Sequence, residues 1–281
     1  MEGHQLTAGM VAAYDHHLHA EERARGTLEK YLRDIRRFEA WLGGRAVTKE
    51  LAAAWKEQLL ARQYAPSTVN GILAALNGLF RFFGWDECRV KPLKRQQSVF
   101  RPGERELTKA EYLRLLDTAR RAGNERLYLV METLCSTGMR VSELRFVTVE
   151  ALEKGFALVD CKGKRRTVLL TKRLRRALAQ YCRRHGIRSR AVFVTRTGKP
   201  LDRSNIWREM RSLCSQAGVD ASKVFPHNLR HLFAVSFYNM EKDIAKLADL
   251  LGHASIETTR IYIMESSVEH ARRLERLGLV T

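Results

Sequence analysis

Apolar residues recur every three or four positions through the first third of the chain, and that spacing predicts helices. In TLEKYLRDIRRFEAWLGG, Leu28, Leu32, Ile35, Phe38 and Leu42 share a face, with Thr27 as the expected N-cap and Gly43-Gly44 as the stop. TKELAAAWKEQLLARQ starts at Thr48 and buries Leu51, Trp55 and Leu59. The stretch after Pro66 carries Val69, Ile72, Leu73, Leu76, Phe80 and Phe83 to a closing Gly84. With a segment around Met10 to His19, these predict a small bundle of about four helices. No strand pattern appears before residue 90.

The pattern then breaks. Arg89 to Glu106 holds two prolines, a glycine and many cations without a period, as an interdomain linker does. Periodicity resumes at LTKAEYLRLLDTARRAG, where Thr108 and Glu111 have capping-box spacing, and at ERLYLVMETLCSTG, a buried helix ending at Gly138. MRVSELRFVTVEAL should begin a third short helix. GFALVDCKGKRRTVLL reads as a hairpin, with Phe156, Leu158 and Cys161 as alternating positions, and AVFVTRTGKPL as another short strand. Helices are expected again at RSNIWREMRSLCSQAG, LRHLFAVSFYN, IAKLADLLGH and SIETTRIYIM, with Asn239 as the left-handed residue after the second of these. The fold class is therefore mainly α with a small antiparallel β-sheet. The expected division is a helical domain at 1–88, a basic linker at 89–106 and a second domain at 107–281, with a tail helix from about residue 267.

Charge changes this picture from scaffold to partner. The 281 residues carry 50 Lys+Arg against 31 Asp+Glu, a net charge of +19, which points to a polyanion such as nucleic acid. The five cysteines are odd in number and form no C-x-x-C pair, and Cys135, Cys182 and Cys214 fall on apolar helical faces. They predict free thiols in a reducing cytoplasm rather than a disulfide framework or a zinc site. His16, His17 and His19 read as a solvated helix face, not a metal site. No leader-like apolar core opens the chain and no apolar run approaches ~18 residues, so no membrane span is expected.

Chemistry concentrates in four stretches. In PHNLRHLFAVSFY, His227, Arg230 and His231 open a helix that is otherwise apolar. A guanidinium there must be desolvated, and desolvating a charge without a counter-charge is costly, so an anion is expected to meet it. TGMRVSEL supplies Arg140 and Glu143, CKGKRR supplies Lys162 and Lys164, and LLGHASIETTRIYI supplies His253 and Tyr262. Each alone has an ordinary structural explanation: Arg140 as a solvent-facing helix start, Tyr262 as a core aromatic, His231 as a structural residue.

In this order, H-x-x-R, then L-L-G-H, then a Tyr nine residues beyond that His, the motifs resemble the tyrosine recombinases, the phage-integrase and Xer-type site-specific recombinases. The resemblance covers nearly the whole chain. It implies an N-terminal helical core-binding, SAM-like domain and an α+β catalytic domain that cleave and rejoin DNA through a 3′-phosphotyrosyl intermediate. It also implies the roles. Tyr262 is the nucleophile, Arg140 and Arg230 clamp the non-bridging oxygens, and His227 is the general base. Lys162 is the general acid, His253 donates a hydrogen bond to the phosphate, and Glu143 supports the site. No metal and no cofactor is required. The residue types suit that chemistry, since Arg is a permanently charged planar fork, and a phenol with a free pKa near ~10 needs a base.

The hairpin is one residue shorter than the family's Lys-Gly-x-Lys-x-Arg, which leaves Lys164 as a competitor to Lys162. The implied partners are double-stranded DNA with inverted-repeat core sites and a homotetramer on that DNA, with or without a paralogous recombinase. The implied location is the nucleoid. The amphipathic tail, with Val268, Ala271, Leu274 and Leu277 at helical spacing, would dock on a neighbouring protomer or on its own domain. Two other functions share these residues: relaxation of supercoils in the manner of a type IB topoisomerase, and DNA-binding regulation on a degenerate recombinase fold.

Overall fold

The computed structural model of the chain describes residues 3–94, 106–161, 164–195, 197–263 and 275–276. The chain divides into two compact units, Met1–Gln97 and Ser98–Thr281.

The first unit is a bundle of α1 (Ala8–Ala20), α2 (Arg25–Leu42), α3 (Lys49–Ala61) and α4 (Pro66–Phe82), followed by a 3-10 turn at Asp86–Cys88. Thr7 and Thr48 cap α1 and α3, each hydroxyl accepting from a main-chain N–H three residues on. Thr27 does not cap α2: the helix begins at Arg25 with Ala24 in the capping position, so Thr27 lies inside its first turn. Phe38 is fully buried and meets Trp41, Trp55 and Phe80 at ring distances of 5.9, 5.9 and 6.2 Å. These rings are the centre of the core.

The start of the basic segment belongs to this unit. Asn77 donates from Nδ2 to the Val90 carbonyl (2.8 Å) and accepts from the Val90 N–H (3.0 Å). Asn70, two helical turns earlier on α4, does the same with Leu93 (3.0 and 2.7 Å). Two amides thus read the main chain as a neighbouring strand would, and extended backbone is held against α4 by four hydrogen bonds. Lys49 and Lys56 add donors to the carbonyls of Arg89 and Lys91.

The second unit opens with α5 (Lys109–Arg121), whose Thr108–Glu111 capping box forms as expected, and α6 (Glu125–Thr137), which ends on left-handed Gly138. Residues 141–146 form a 3-10 helix rather than an α-helix, and α7 (Val149–Lys154) follows. β1 (Phe156–Cys161) and β2 (Lys164–Leu169) make a two-stranded antiparallel hairpin with Val159 opposite Arg166 and Ala157 opposite Val168. The alternation read from the sequence did not fix which face is buried. Ala157, Val159 and Val168 are inside, whereas Leu158 and Leu169 are more than 60% exposed. The apolar run allowed either phase, and packing on the domain chose the smaller residues.

α8 (Lys172–Arg184) precedes the stretch 191–201, whose described residues form no strand and make isolated bridges, Thr148 with Ala191 and Val194 with Pro200. RSNIWREMRSLCSQAG breaks into α9 (Arg203–Ser212) and α10 (Cys214–Ala217). Then come α11 (Pro226–Glu241), α12 (Ile244–Leu251) and α13 (Ile256–Ile263). Asn239 is helical, and the left-handed residue after α11 is Lys242, with φ of 56°. Cys88, Cys135, Cys182 and Cys214 are free thiols, and burial pushes Cys135 up to about 12. Among the described residues no helix is long and apolar enough to cross a membrane.

Candidate active site

Pro226 at the first position of α11 fixes the helix start, so His227 and Arg230 lie one turn apart on the same side. Arg230 is 1% exposed. Its Nη1 donates to the Gly138 carbonyl (2.6 Å), and its Nη2 donates to the Leu251 carbonyl (2.8 Å) and to His253 Nε2 (2.8 Å). No carboxylate among the described residues pairs with it. Burial, and then the charge of Arg140, hold its pKa below the ordinary arginine value, against a smaller opposing effect of Tyr262. The backbone fixes this side chain and leaves its positive charge uncompensated, as an anion-binding site requires.

The left-handed turns at Gly138 and Gly252 let both carbonyl-bearing segments approach. A Cβ at Gly138 would overlap the Phe233 ring, and one at Gly252 would overlap the Arg166 side chain.

Arg140 stands before the 3-10 helix, about half exposed, with Nη1 3.1 Å from Glu143 Oε1. Glu143 is 1% exposed, accepts from the Arg140 main-chain N–H (2.8 Å) and pairs with Arg166. Burial raises its pKa, but the Arg140 N–H and the Arg166 guanidinium outweigh that and hold it below the usual carboxylate range. Glu143 is thus an ionised bridge between two arginines.

His253 follows Gly252. Burial first, then the charges of Arg230, Arg140, Arg166 and His227, push its imidazole down to about 4, so it is neutral at neutral pH. A guanidinium can only donate, so Nε2 accepts from Arg230 and the ring proton sits on Nδ1, donated to Thr259 Oγ1 at 2.8 Å. Tyr262, on α13, is 7% exposed. Its hydroxyl lies 3.4 Å from His227 Nε2, and its ring stacks on His253 (5.7 Å between centroids, 9° between planes). The His231 ring also packs on it, 5.5 Å away.

Arg140, Glu143, His227, Arg230, His253 and Tyr262, taken from four separate segments, therefore gather at one site. Lys162 lies outside the described residues, as do the basic stretch 95–105 and most of the tail expected from about residue 267. Sequence reasoning missed Arg166 and Thr259. Thr259, in the run ETTRIYI, carried no signal beyond its polarity within a buried helix. Arg166 shares the inner face of the hairpin with Val159 and Val168, and a cation in phase with core residues was the available sign.

The one group of potential metal ligands among the described residues lies in the first unit, where His4, Glu87 and Cys88 offer atoms within 4.8 Å of one another. His4 already pairs with Glu87 and stacks on Trp85 at 4.6 Å, which accounts for the cluster without an ion.

A buried guanidinium without a counter-charge, beside a tyrosine facing an imidazole, fits phosphoryl transfer. Comparison with known proteins decides the family. The phage integrase family model matches residues 105–268, and the model of the phage integrase N-terminal SAM-like domain matches 11–87. The chain belongs to the tyrosine recombinases of the phage integrase family. It is 30% identical to tyrosine recombinase XerA of Pyrococcus furiosus, over 97% of each chain. It is 33% identical to tyrosine recombinase XerC of Roseiflexus castenholzii, over 90% of this chain and 87% of that one. A crystal structure of a lambda integrase dimer bound to a COC′ core site superposes with a TM-score of 0.72 at 18% identity, covering 92% of this chain and 77% of that one. This recombinase is an enzyme of DNA strand breakage and rejoining at specific sites, and supercoil relaxation and non-catalytic regulation find no support.

Proposed function

We propose that Tyr262 attacks the scissile phosphate of a core site and that the seven residues read from the sequence divide the work of that step. The Tyr262 Oη–P bond forms and the P–O5′ bond breaks. The phenolic proton passes to His227, and O5′ takes a proton from Lys162 on the hairpin, with Lys164 as the alternative donor. Reversal of both transfers lets a 5′-hydroxyl of the partner strand displace the tyrosine and reseal the backbone.

The observation that carries this reading is the 3.4 Å approach of the Tyr262 hydroxyl to His227 Nε2, beside the uncompensated charge of Arg230. Arg230 and Arg140 hold the non-bridging oxygens, and Glu143 keeps Arg140 aimed. His253 donates to the phosphate after exchanging tautomers. Thr259's hydroxyl donates as readily as it accepts, so the ring makes that exchange without losing its partner.

The partner is double-stranded DNA with inverted-repeat core sites, bound by the SAM-like unit (1–88) and the catalytic unit (107–281) through a basic linker (89–106). A tetramer, alone or with a paralogous recombinase, performs the exchange in the cytoplasm at the nucleoid. The lambda integrase dimer on its core site supports this arrangement by likeness of fold. Tyr262→Phe tests the reading. DNA binding should persist, and the SDS-stable covalent adduct on a nicked core site should vanish. A wild-type yield of adduct in that variant overturns the assignment.

A further inference from the structure

Arg166 is a partly buried cation of this site to which the mechanism above gives no role. It sits on β2 opposite Val159, two residues beyond Lys164 and four beyond Lys162. Its side chain is 13% exposed. Its three nitrogens are used unequally. Nη2 pairs with Glu143, Nη1 donates to the Leu250 carbonyl at 2.7 Å, and Nε is buried without a partner. Its aliphatic stem fills the space above Gly252 that any Cβ there would occupy.

One guanidinium therefore joins three pieces of chain: the hairpin, the 3-10 helix whose Glu143 holds Arg140, and the last turn of α12 at Leu250, three residues before His253. A planar fork holds a carboxylate and a carbonyl on two separate nitrogens in fixed geometry, whereas an ammonium on a flexible stem must reach both from a single atom. If its role were only to neutralise Glu143, Arg140 would serve, since it already reaches the same carboxylate. An orphaned Nε is a cost that a merely structural pair would shed.

We propose that Arg166 is a positioning residue: it registers the hairpin against the Arg140 and His253 segments, so that the lysine at the hairpin turn meets the leaving 5′-oxygen. This rests on the reading of a hairpin lysine as general acid. Misplacing a catalytic group by about 1 Å costs on the order of a hundredfold. The loss should fall on leaving-group protonation more than on attack.

The test uses the full-length chain and a nicked core site made in two forms, one with an ordinary scissile phosphate and one with a 5′-bridging sulfur, which leaves without protonation. Arg166→Ala should lose roughly tenfold more cleavage on the oxygen substrate than on the sulfur substrate, while half-site binding stays near wild type. Arg166→Lys, which keeps the charge and is the gentler variant for folding, should show the same selective loss. Equal loss on both substrates would make Arg166 a structural or purely electrostatic residue and overturn the proposal, as would wild-type cleavage of the oxygen substrate by Arg166→Lys. Lys162→Ala and Lys164→Ala on the same pair of substrates report on the acid itself. If neither is selectively rescued by sulfur, the lysine assignment fails and the positioning of that lysine by Arg166 fails with it. If one lysine variant is rescued and the Arg166 variants are not, the lysine assignment stands and the positioning role alone is overturned.

Discussion

The two units bury different things. In the N-terminal unit the core is aromatic and aliphatic, and the one buried charged residue among those described, Asp34, has Lys30 at 2.7 Å. In the C-terminal unit, Glu143, Arg230 and His231 are all under 3% exposed, and Arg230 has carbonyls and a neutral imidazole for partners where a carboxylate would balance it. The first unit balances the charge it buries. The second holds a desolvated positive charge in place before any substrate arrives, so the cost of organising donors is met by folding and not at the moment of reaction.

Three measurements separate these two kinds of interior. The largest effect should come from pairing Arg230→Met with Phe38→Ala. Cleavage of a nicked core site by Arg230→Met should fall by about two to three orders of magnitude, as when one transition-state donor is lost. Its thermal midpoint should move less than that of Phe38→Ala, which should cost about 3–5 kcal/mol by opening a cavity among Trp41, Trp55 and Phe80. If Arg230→Met proved the less stable of the two, its charge would be structural and the contrast would collapse.

A smaller difference should appear between two left-handed glycines. Gly43 and Gly252 have φ of 57° and 64°, but a Cβ at Gly43 meets nothing within 4 Å, whereas one at Gly252 overlaps Arg166. Gly43→Ala should cost about 1 kcal/mol of stability, the conformational penalty alone. Gly252→Ala should cost more and also slow cleavage, because it displaces a side chain that ties the site together. Equal losses in chemical denaturation, with unchanged cleavage, would show that the pocket tolerates a shifted Arg166.

The smallest effect concerns the strap on α4. Trypsin should cut the wild-type chain after Arg89 slowly, since Asn77 and Asn70 hold the main chain at Val90 and Leu93. The double variant Asn70→Ala, Asn77→Ala should be cut there several-fold faster, read by mass spectrometry of the early fragments. Unchanged rates would mean that the two asparagines do not restrain the segment.

Most helices were legible because their signals are local. The Thr48 cap, the Thr108–Glu111 box and the Gly138 stop each depend on residues a few positions apart. The readings that failed lacked such a signal or had two answers. Thr27 has the chemistry of a cap, yet Ala24 took the position and α2 gained a turn. The strand pattern at 191–201 found no partner strand among the described residues, and a strand without a ladder leaves main-chain groups unsatisfied.

By itself the sequence determined the class of chemistry and named the residues proposed to carry it. A net charge of +19 called for a polyanion, and Arg140, Glu143, His227, Arg230, His253 and Tyr262 were identifiable because motif order and spacing survive without knowledge of contacts. Only the tertiary structure decided how those groups are held. Which face of the hairpin turns inward, that Arg166 bridges Glu143 to Leu250, that His253 is neutral with its proton toward Thr259, and that Arg230 is fixed by carbonyls from Gly138 and Leu251 are long-range facts. They follow from burial and from the close approach of segments up to 92 residues apart in the chain. A linear pattern records what each residue can do. The desolvation and hydrogen bonding that determine what it does arise only when the chain has folded around it.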